Sequence, residues 1–174
     1  MLEIEAKFRV ESIDEVEEKL KEVADFVVDK TEEDIYFTSE LRDFFQTDEV
    51  VRIRKDVEGV SLTYKGPKID SETKSREEVK VRVFPEDYEN AILFLERLGL
   101  KRFAKVRKRR KIYRMGNAII CVDKLENLGD FVEIEVESSD LNAGKREIFA
   151  LAKTLGISKS IRKSYLELLL EKDQ

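Results

Sequence analysis

The feature that most constrains this 174-residue chain is period-two alternation that leaves two unlike faces. In LEIEAKFRV, Leu2, Ile4, Ala6, Phe8 and Val10 fall on one side, and Glu3, Glu5, Lys7 and Arg9 on the other. Successive side chains of a β-strand point to opposite faces of the sheet, so such a segment is a strand with one apolar and one charged face. The pattern recurs. Arg52 and Arg54 oppose Val51 and Ile53; Arg76, Glu78, Lys80 and Arg82 oppose Glu77, Val79, Val81 and Val83. Glu133, Glu135 and Glu137 oppose Val132, Ile134 and Val136, and Lys108 and Arg110 share a face. A fold must cover the apolar faces and decide where the charged ones point.

Absences narrow the chemistry. The chain has no histidine, which excludes a histidine base, a His-containing triad and a His-ligated zinc site. Cys121 is the only cysteine, so there is no internal disulfide, and its place in the run AIICV reads as strand packing. A net charge of −5 argues against a general nucleic-acid coat protein. No segment is apolar and long enough to span a membrane and MLEIEAK is no signal peptide, so a cytoplasmic protein is expected. An enzyme of this composition works with carboxylates, Lys, Arg, Tyr and a hard metal held by oxygen.

Length predicts one domain over 1–174. Ile13, Val16, Leu20 and Val23 repeat at helical spacing behind a Ser12/Glu15 capping-box pattern. A second helix follows Pro85 and stops at Gly99, a third runs through AGKREIFALAKTLGI, and SYLELLLEK closes the chain with a short one. Between them, seven segments rich in β-branched and aromatic residues, with LEIEAKFRV, make about eight strands. PKIDSETKS is a polar loop. Strand, helix and a run of strands fill 1–66 and recur over 76–137, a coarse architectural duplication.

Two arrangements satisfy this pattern. One is an open sheet with helices on one side and water on the other. The other is a closed sheet with the charges inside. Arginines at i, i+2 suit phosphate oxygens. The acidic pairs Glu3/Glu5 and Glu133/Glu135 come from opposite ends of the sequence, and strands bearing them could meet if a barrel closed. Two such pairs on neighbouring strands could surround a hard divalent ion.

Several elements in order resemble the CYTH superfamily, named for class IV adenylyl cyclases and thiamine triphosphatases. They are EIEAK at the start, DIYF with Asp34 and Tyr36, RIR, LTYKGP with Lys65, SREE with Arg76 and Glu78, and KRRKIY with Lys108, Arg110 and Tyr113. VDKLENLGDFVEIE and KSYLELL complete the set. The resemblance implies an α+β fold: a closed eight-stranded antiparallel β-barrel, the triphosphate tunnel, with helices packed outside. It implies that Glu3, Glu5, Glu133 and Glu135 hold Mg²⁺ or Mn²⁺, with Asp123 and Glu78 as helpers. Lys7, Arg52, Arg54, Lys65, Lys108 and Arg110 would bind a triphosphate, joined by Arg76 and Lys80 and by Lys163 or Arg162. A tyrosine–lysine pair assigned a base role in some members falls on Tyr36 and Lys65. Arg109, Lys111 and Arg114 read as solvated outer charges, and Tyr113 as packing.

The expected function is metal-dependent chemistry on a triphosphate, first as an adenylyl cyclase converting ATP to cyclic AMP and pyrophosphate. The alternatives are a triphosphatase of inorganic, thiamine or nucleoside triphosphate, and a non-catalytic module binding polyphosphate or an RNA 5′-triphosphate. The expected partner is the small-molecule substrate, with no DNA and no membrane, in a monomer or homodimer.

Overall fold

The computed structural model describes residues 2–69, 73 and 76–172; part of the polar loop lies outside the described residues. The element order is β1 (Leu2–Val10), α1 (Ile13–Val23), β2 (Asp25–Ser39), β3 (Val50–Asp56), β4 (Gly59–Lys65) and β5 (Glu78–Val83). A 3₁₀ turn (Pro85–Asp87) then leads into α2 (Tyr88–Arg97), β6 (Leu100–Met115), β7 (Ala118–Leu125), β8 (Gly129–Ser138), α3 (Leu141–Thr154), β9 (Ser160–Ile161) and α4 (Tyr165–Lys172). The duplicated pattern is present as strand–helix–three strands, twice.

The strands form one sheet in the order β5-β4-β3-β2-β6-β7-β8-β1-β9. This corrects the expected closed eight-stranded barrel: the sheet has nine strands and is open, with β5 and β9 at its edges. Closure would need a further ladder on β1. That side of β1 is instead taken by the two-residue β9, through Lys7↔Ile161 and Phe8↔Ser160. β1 and β8 are neighbours, as the acidic pairs suggested, but by direct antiparallel pairing within the open sheet. Edge strand β5 carries Lys80 and Arg82, both exposed, charges of the kind that discourage edge-to-edge association.

The chain divides into two compact units. The first comprises Met1–Lys30, Ile69–Arg76 and Lys108–Gln174, the second Thr31–Lys68 and Glu77–Arg107. The units do not coincide with the two repeats, because β2 and β6 each run through both.

In the first unit, Ile4, Ala6 and Phe8 of β1 join Ile120 and Val122 of β7 and Val132, Ile134 and Val136 of β8 in one core. Val16 and Leu20 of α1, Ile148 and Ala152 of α3, and Leu155 just after it cover the core. Each fully buried side chain of this size contributes roughly 1.5–3 kcal/mol. Gly144 lets α3 settle close on the sheet, since a Cβ there would lie 2.3 Å from Ile4 Cδ1. The expected Ser12 cap is not made by its side chain. Asp140 caps α3, accepting from the backbone N–H groups of Asn142 and Ala143. Ser164 and Glu167 cap α4 reciprocally: Glu167 N donates to Ser164 Oγ at 3.1 Å and Ser164 N to Glu167 Oε2 at 2.6 Å.

In the second unit, Phe37, Ile53 and Val60 of the sheet pack with Ile92 and Leu95 of α2. Both cores therefore use the apolar faces read from the alternation. Among the described residues, no helix is long and apolar enough to cross a membrane.

Candidate active site

The charged face of the first unit is built by register. Glu5 of β1 stands opposite Glu135 of β8, Lys7 opposite Glu133, and Glu3 opposite Glu137. On the other side of β8, Phe131 is opposite Asp123 of β7, which is opposite Arg110 of β6. Antiparallel strands place such partners about 5 Å apart on one face, so β-sheet geometry alone brings together residues 130 positions apart in the chain.

Ion pairs then sort the carboxylates into two groups. Arg110 grips Asp123 with Nε 2.6 Å from Oδ1 and an Nη 2.5 Å from Oδ2, and the same Nη donates to Glu133 Oε2. Lys7 Nζ lies 3.4 Å from Glu133 Oε1 and donates to the Lys163 carbonyl at 3.1 Å. Asp123 and Glu133 thus have cations against them. Glu135 is the contrast. Burial, and after it the charges of Glu3 and Glu5, push its carboxyl up to about 7. The charges of Glu3 and Glu5 therefore bear on Glu135 across the β1–β8 ladder.

Tyr165, the first residue of α4, completes this constellation. Its hydroxyl donates to Asp123 Oδ2 at 2.6 Å, its ring stacks edge-on against Phe131, and Lys7 Nζ sits 3.4 Å from the ring centroid. Lys108 Nζ lies 5.3 Å from the same centroid. Burial, with the charges of Asp123 and Glu133, holds the phenol well above its ordinary value, so it remains a donor. Although the sheet is open, these groups are sheltered: Lys7 is 1% exposed, Lys108 3%, Asp123 0% and Glu133 7%.

The second unit carries its own charged face. Tyr36 stands opposite Arg52, Arg52 opposite Thr63, and Thr63 opposite Lys80. In the next row Asp34 is opposite Arg54, Arg54 opposite Ser61, and Ser61 opposite Arg82. Arg54 is held by Glu32 at 2.7 Å and by both Asp34 oxygens at 2.7 and 2.8 Å. Arg52 reaches Asp34 only at 3.4 Å. Lys65 pairs with Glu78 at 2.6 Å. Burial raises the Glu78 carboxyl, but Lys65, Arg52 and Lys80 outweigh it and hold the group below its ordinary value. Burial and Asp34 hold the Tyr36 phenol above its ordinary value, so at neutral pH it carries its proton.

The expected site residues fall accordingly. Glu3, Glu5, Lys7, Lys108, Arg110, Asp123, Glu133 and Glu135 share the face of the first unit. Tyr36, Arg52, Arg54, Lys65, Glu78 and Lys80 share that of the second. Arg76 precedes β5, which begins at Glu78, so the alternation does not extend to it. Lys163 is about half exposed and pairs with Glu171 at 2.5 Å. Among the expected outer charges, Arg109 bonds Asp29, and Lys111 is tied to Glu17 of α1 instead of being solvated. Arg114 is opposite Ile119 and shares the parity of Arg110, so it lies on the charged face, at an exposed position. Tyr113 and Cys121 are buried as expected. Tyr165 had no role in the sequence reading, although the S-x-x-E capping signal at Ser164 and Glu167 marks the turn that presents it.

The donor set suits a hard divalent cation, being all oxygen. The raised Glu135, pushed up by burial and then by the charges of Glu3 and Glu5, is the observation that favours one, since a positive ion relieves that repulsion. Among the described residues, no three carboxylates converge closely enough to enclose an ion by themselves. Mg²⁺ usually takes only one or two carboxylates and completes its shell with water and substrate phosphate, so the residues present fit that mode.

Comparisons with known proteins agree across the chain. The CYTH domain family model matches residues 1–165. A Methanocaldococcus jannaschii protein named "Putative adenylate cyclase MJ0240" is 41% identical over 174 residues, spanning 97% of this chain and 98% of that protein. The solved structure of the PH1819 protein from Pyrococcus horikoshii OT3 matches with a TM-score of 0.88 at 40% identity, covering 98% of this chain and 99% of its own. A Hippeastrum protein named "Putative adenylyl cyclase HpAC1", described as having a dominant triphosphatase activity, shares the fold. Its TM-score is 0.77 at 20% identity, over 98% of this chain and 96% of its own.

Proposed function

The chain belongs to the CYTH family, and from that premise we propose that it is a divalent-metal-dependent enzyme acting on a small-molecule triphosphate, first as an adenylyl cyclase. The observation that carries this reading is the register that sets Glu3, Glu5 and Glu135 on one face with Glu133 and Asp123, which already hold Lys7 and Arg110. A face that lifts a carboxyl to about 7 is one that gains from Mg²⁺ or Mn²⁺. In this proposal one or two of Glu3, Glu5 and Glu135 take the ion directly, and water and substrate phosphate complete its shell. Glu133 and Asp123 are helpers on the same face once their lysine and arginine partners turn to phosphate.

The bound ion would polarise phosphoryl oxygens and neutralise the leaving group. This chain's residues do the rest. Lys108 and Arg110 of the first unit, with Lys7, Arg76 and Lys163, and separately Arg52, Arg54, Lys65 and Lys80 of the second, supply positive charge and fork-shaped donors for phosphate oxygens. Of the pair Tyr36 and Lys65, the phenol holds its proton at neutral pH and orients phosphate as a donor. Lys65, ion-paired with Glu78 at 2.6 Å, sets positive charge against the phosphate, and the proton of the attacking hydroxyl passes to solvent water. In the cyclase reaction the ribose 3′-hydroxyl attacks the α-phosphorus and pyrophosphate departs.

The second reading is a triphosphatase, with water attacking the terminal phosphorus. It is favoured by the activity described for the Hippeastrum protein. One experiment separates the two: purified protein with Mg²⁺ or Mn²⁺ and ATP, tripolyphosphate or thiamine triphosphate, followed by product identification. Cyclic AMP with pyrophosphate establishes the cyclase and orthophosphate the hydrolase. No product from any of the three overturns the enzymatic reading.

A further inference from the structure

One row on the charged face of the second unit holds no carboxylate. Register sets Tyr36, Arg52, Thr63 and Lys80 side by side on four adjacent strands, each about 5 Å from the next. The neighbouring row is different in kind, because Asp34 stands in it and accepts from Arg54 through both carboxylate oxygens. Thr63 is 0% exposed. Its Oγ1 is buried and makes no hydrogen bond among the described residues, and the same holds for Arg52 Nε. Buried polar atoms are paired in more than about nine cases in ten, and each orphan costs on the order of 1–3 kcal/mol. Here two orphans stand opposite each other, one on Arg52 and one on Thr63, in a row that holds no carboxylate. An oxyanion would satisfy both.

We propose that Thr63 is a further phosphate-binding residue, its hydroxyl donating together with Arg52 Nε to an oxygen of the bound triphosphate. This rests on the triphosphate reading above and adds an uncharged residue to the charged set. Its neighbours in the row are long, flexible side chains, and Lys80 is exposed. The oxygen therefore reaches the hydroxyl as Arg52 and Lys80 swing onto the ligand. The orphan is then a cost borne by the empty protein and recovered on binding. A hydroxyl serving only β-propensity would show no such link, since valine meets that need equally well.

Thr63→Val keeps shape and β-branching and removes the donor; Thr63→Ser keeps the donor. Binding of Mg²⁺–tripolyphosphate is measured by calorimetry for wild type and both variants, alongside thermal midpoints without ligand. Thr63→Val is expected to melt no lower than wild type and to bind roughly tenfold or more weakly, with Thr63→Ser within about twofold of wild type. Thr63→Ala, with the same binding loss expected, replaces Thr63→Val if the latter fails to fold. Binding unchanged in Thr63→Val overturns this proposal alone. A lower midpoint with unchanged binding assigns the hydroxyl a structural role and overturns it as well. Wild type that binds no tripolyphosphate overturns the triphosphate reading and this proposal with it.

Discussion

The Tyr165 hydroxyl and Asp123 Oδ2 meet at 2.6 Å, joining a C-terminal helix to the charged face of β7. Asp123 is the hub of that face, taking Arg110 in a two-pronged grip on one side and the phenol on the other. Position is supplied by the Ser164–Glu167 capping box, which fixes the first turn of α4 and hence the ring.

Thus Tyr165→Phe should cost about 1–2 kcal/mol, because it removes one buried hydrogen bond and keeps the ring against Phe131 and Lys7. Tyr165→Ala should cost about 3–5 kcal/mol, since the ring packing is lost too. Urea unfolding of both variants checks the order and the gap.

Arg52 and Arg54 are two residues apart on one strand face, yet they should behave differently. Arg54 is shared by the buried Glu32 and Asp34, so Arg54→Ala should destabilise the fold by about 3–5 kcal/mol. Arg52, with its long 3.4 Å contact, is the less committed. Arg52→Ala should raise KM for a triphosphate roughly tenfold with a smaller stability loss. Melting curves set beside steady-state kinetics separate the two effects.

The raised Glu135 carboxyl makes a signed prediction for the metal-free protein. Its folded value of about 7 lies above the ordinary 4.5. Below the ordinary value the group is protonated whether folded or not, and it has no effect. As pH rises through this window the folded form must either hold a proton or bear the repulsion of Glu3 and Glu5, so stability falls until about pH 7 and stays lowered above it. Glu135→Gln should therefore stabilise the metal-free protein at pH 8 by about 2–3 kcal/mol and leave it almost unchanged at about pH 4.5. Chemical denaturation at the two pH values, variant against wild type, reads the difference.

The faces of this protein were legible because a two-residue period survives any rearrangement of strand order. Glu3, Glu5 and Lys7 share a side, as do Glu133 and Glu135, and the structure keeps both sets. Closure was not legible. It turns on whether β5 finds a partner, and β9, which occupies the far side of β1, is too short at two residues to show any periodicity. Nor could alternation show which carboxylates are spent on ion pairs. That depends on register, which sets Glu133 beside Lys7 and Glu5 beside Glu135. Arg114 was readable by parity as a partner of Arg110 but was grouped with the outer charges. Thr63, uncharged between charged neighbours, offered no signal until its row was assembled.

The measurement that tests the central claim most directly is Mn²⁺ titration of the protein by calorimetry in buffers of different ionisation enthalpy. If Glu3, Glu5 and Glu135 receive the ion, binding at pH 6.5 releases a proton from Glu135, release fades by pH 8.5, and Glu135→Gln abolishes it while weakening binding. Absence of Mn²⁺ binding, or binding that is unchanged in Glu135→Gln and releases no proton at pH 6.5, would contradict the account.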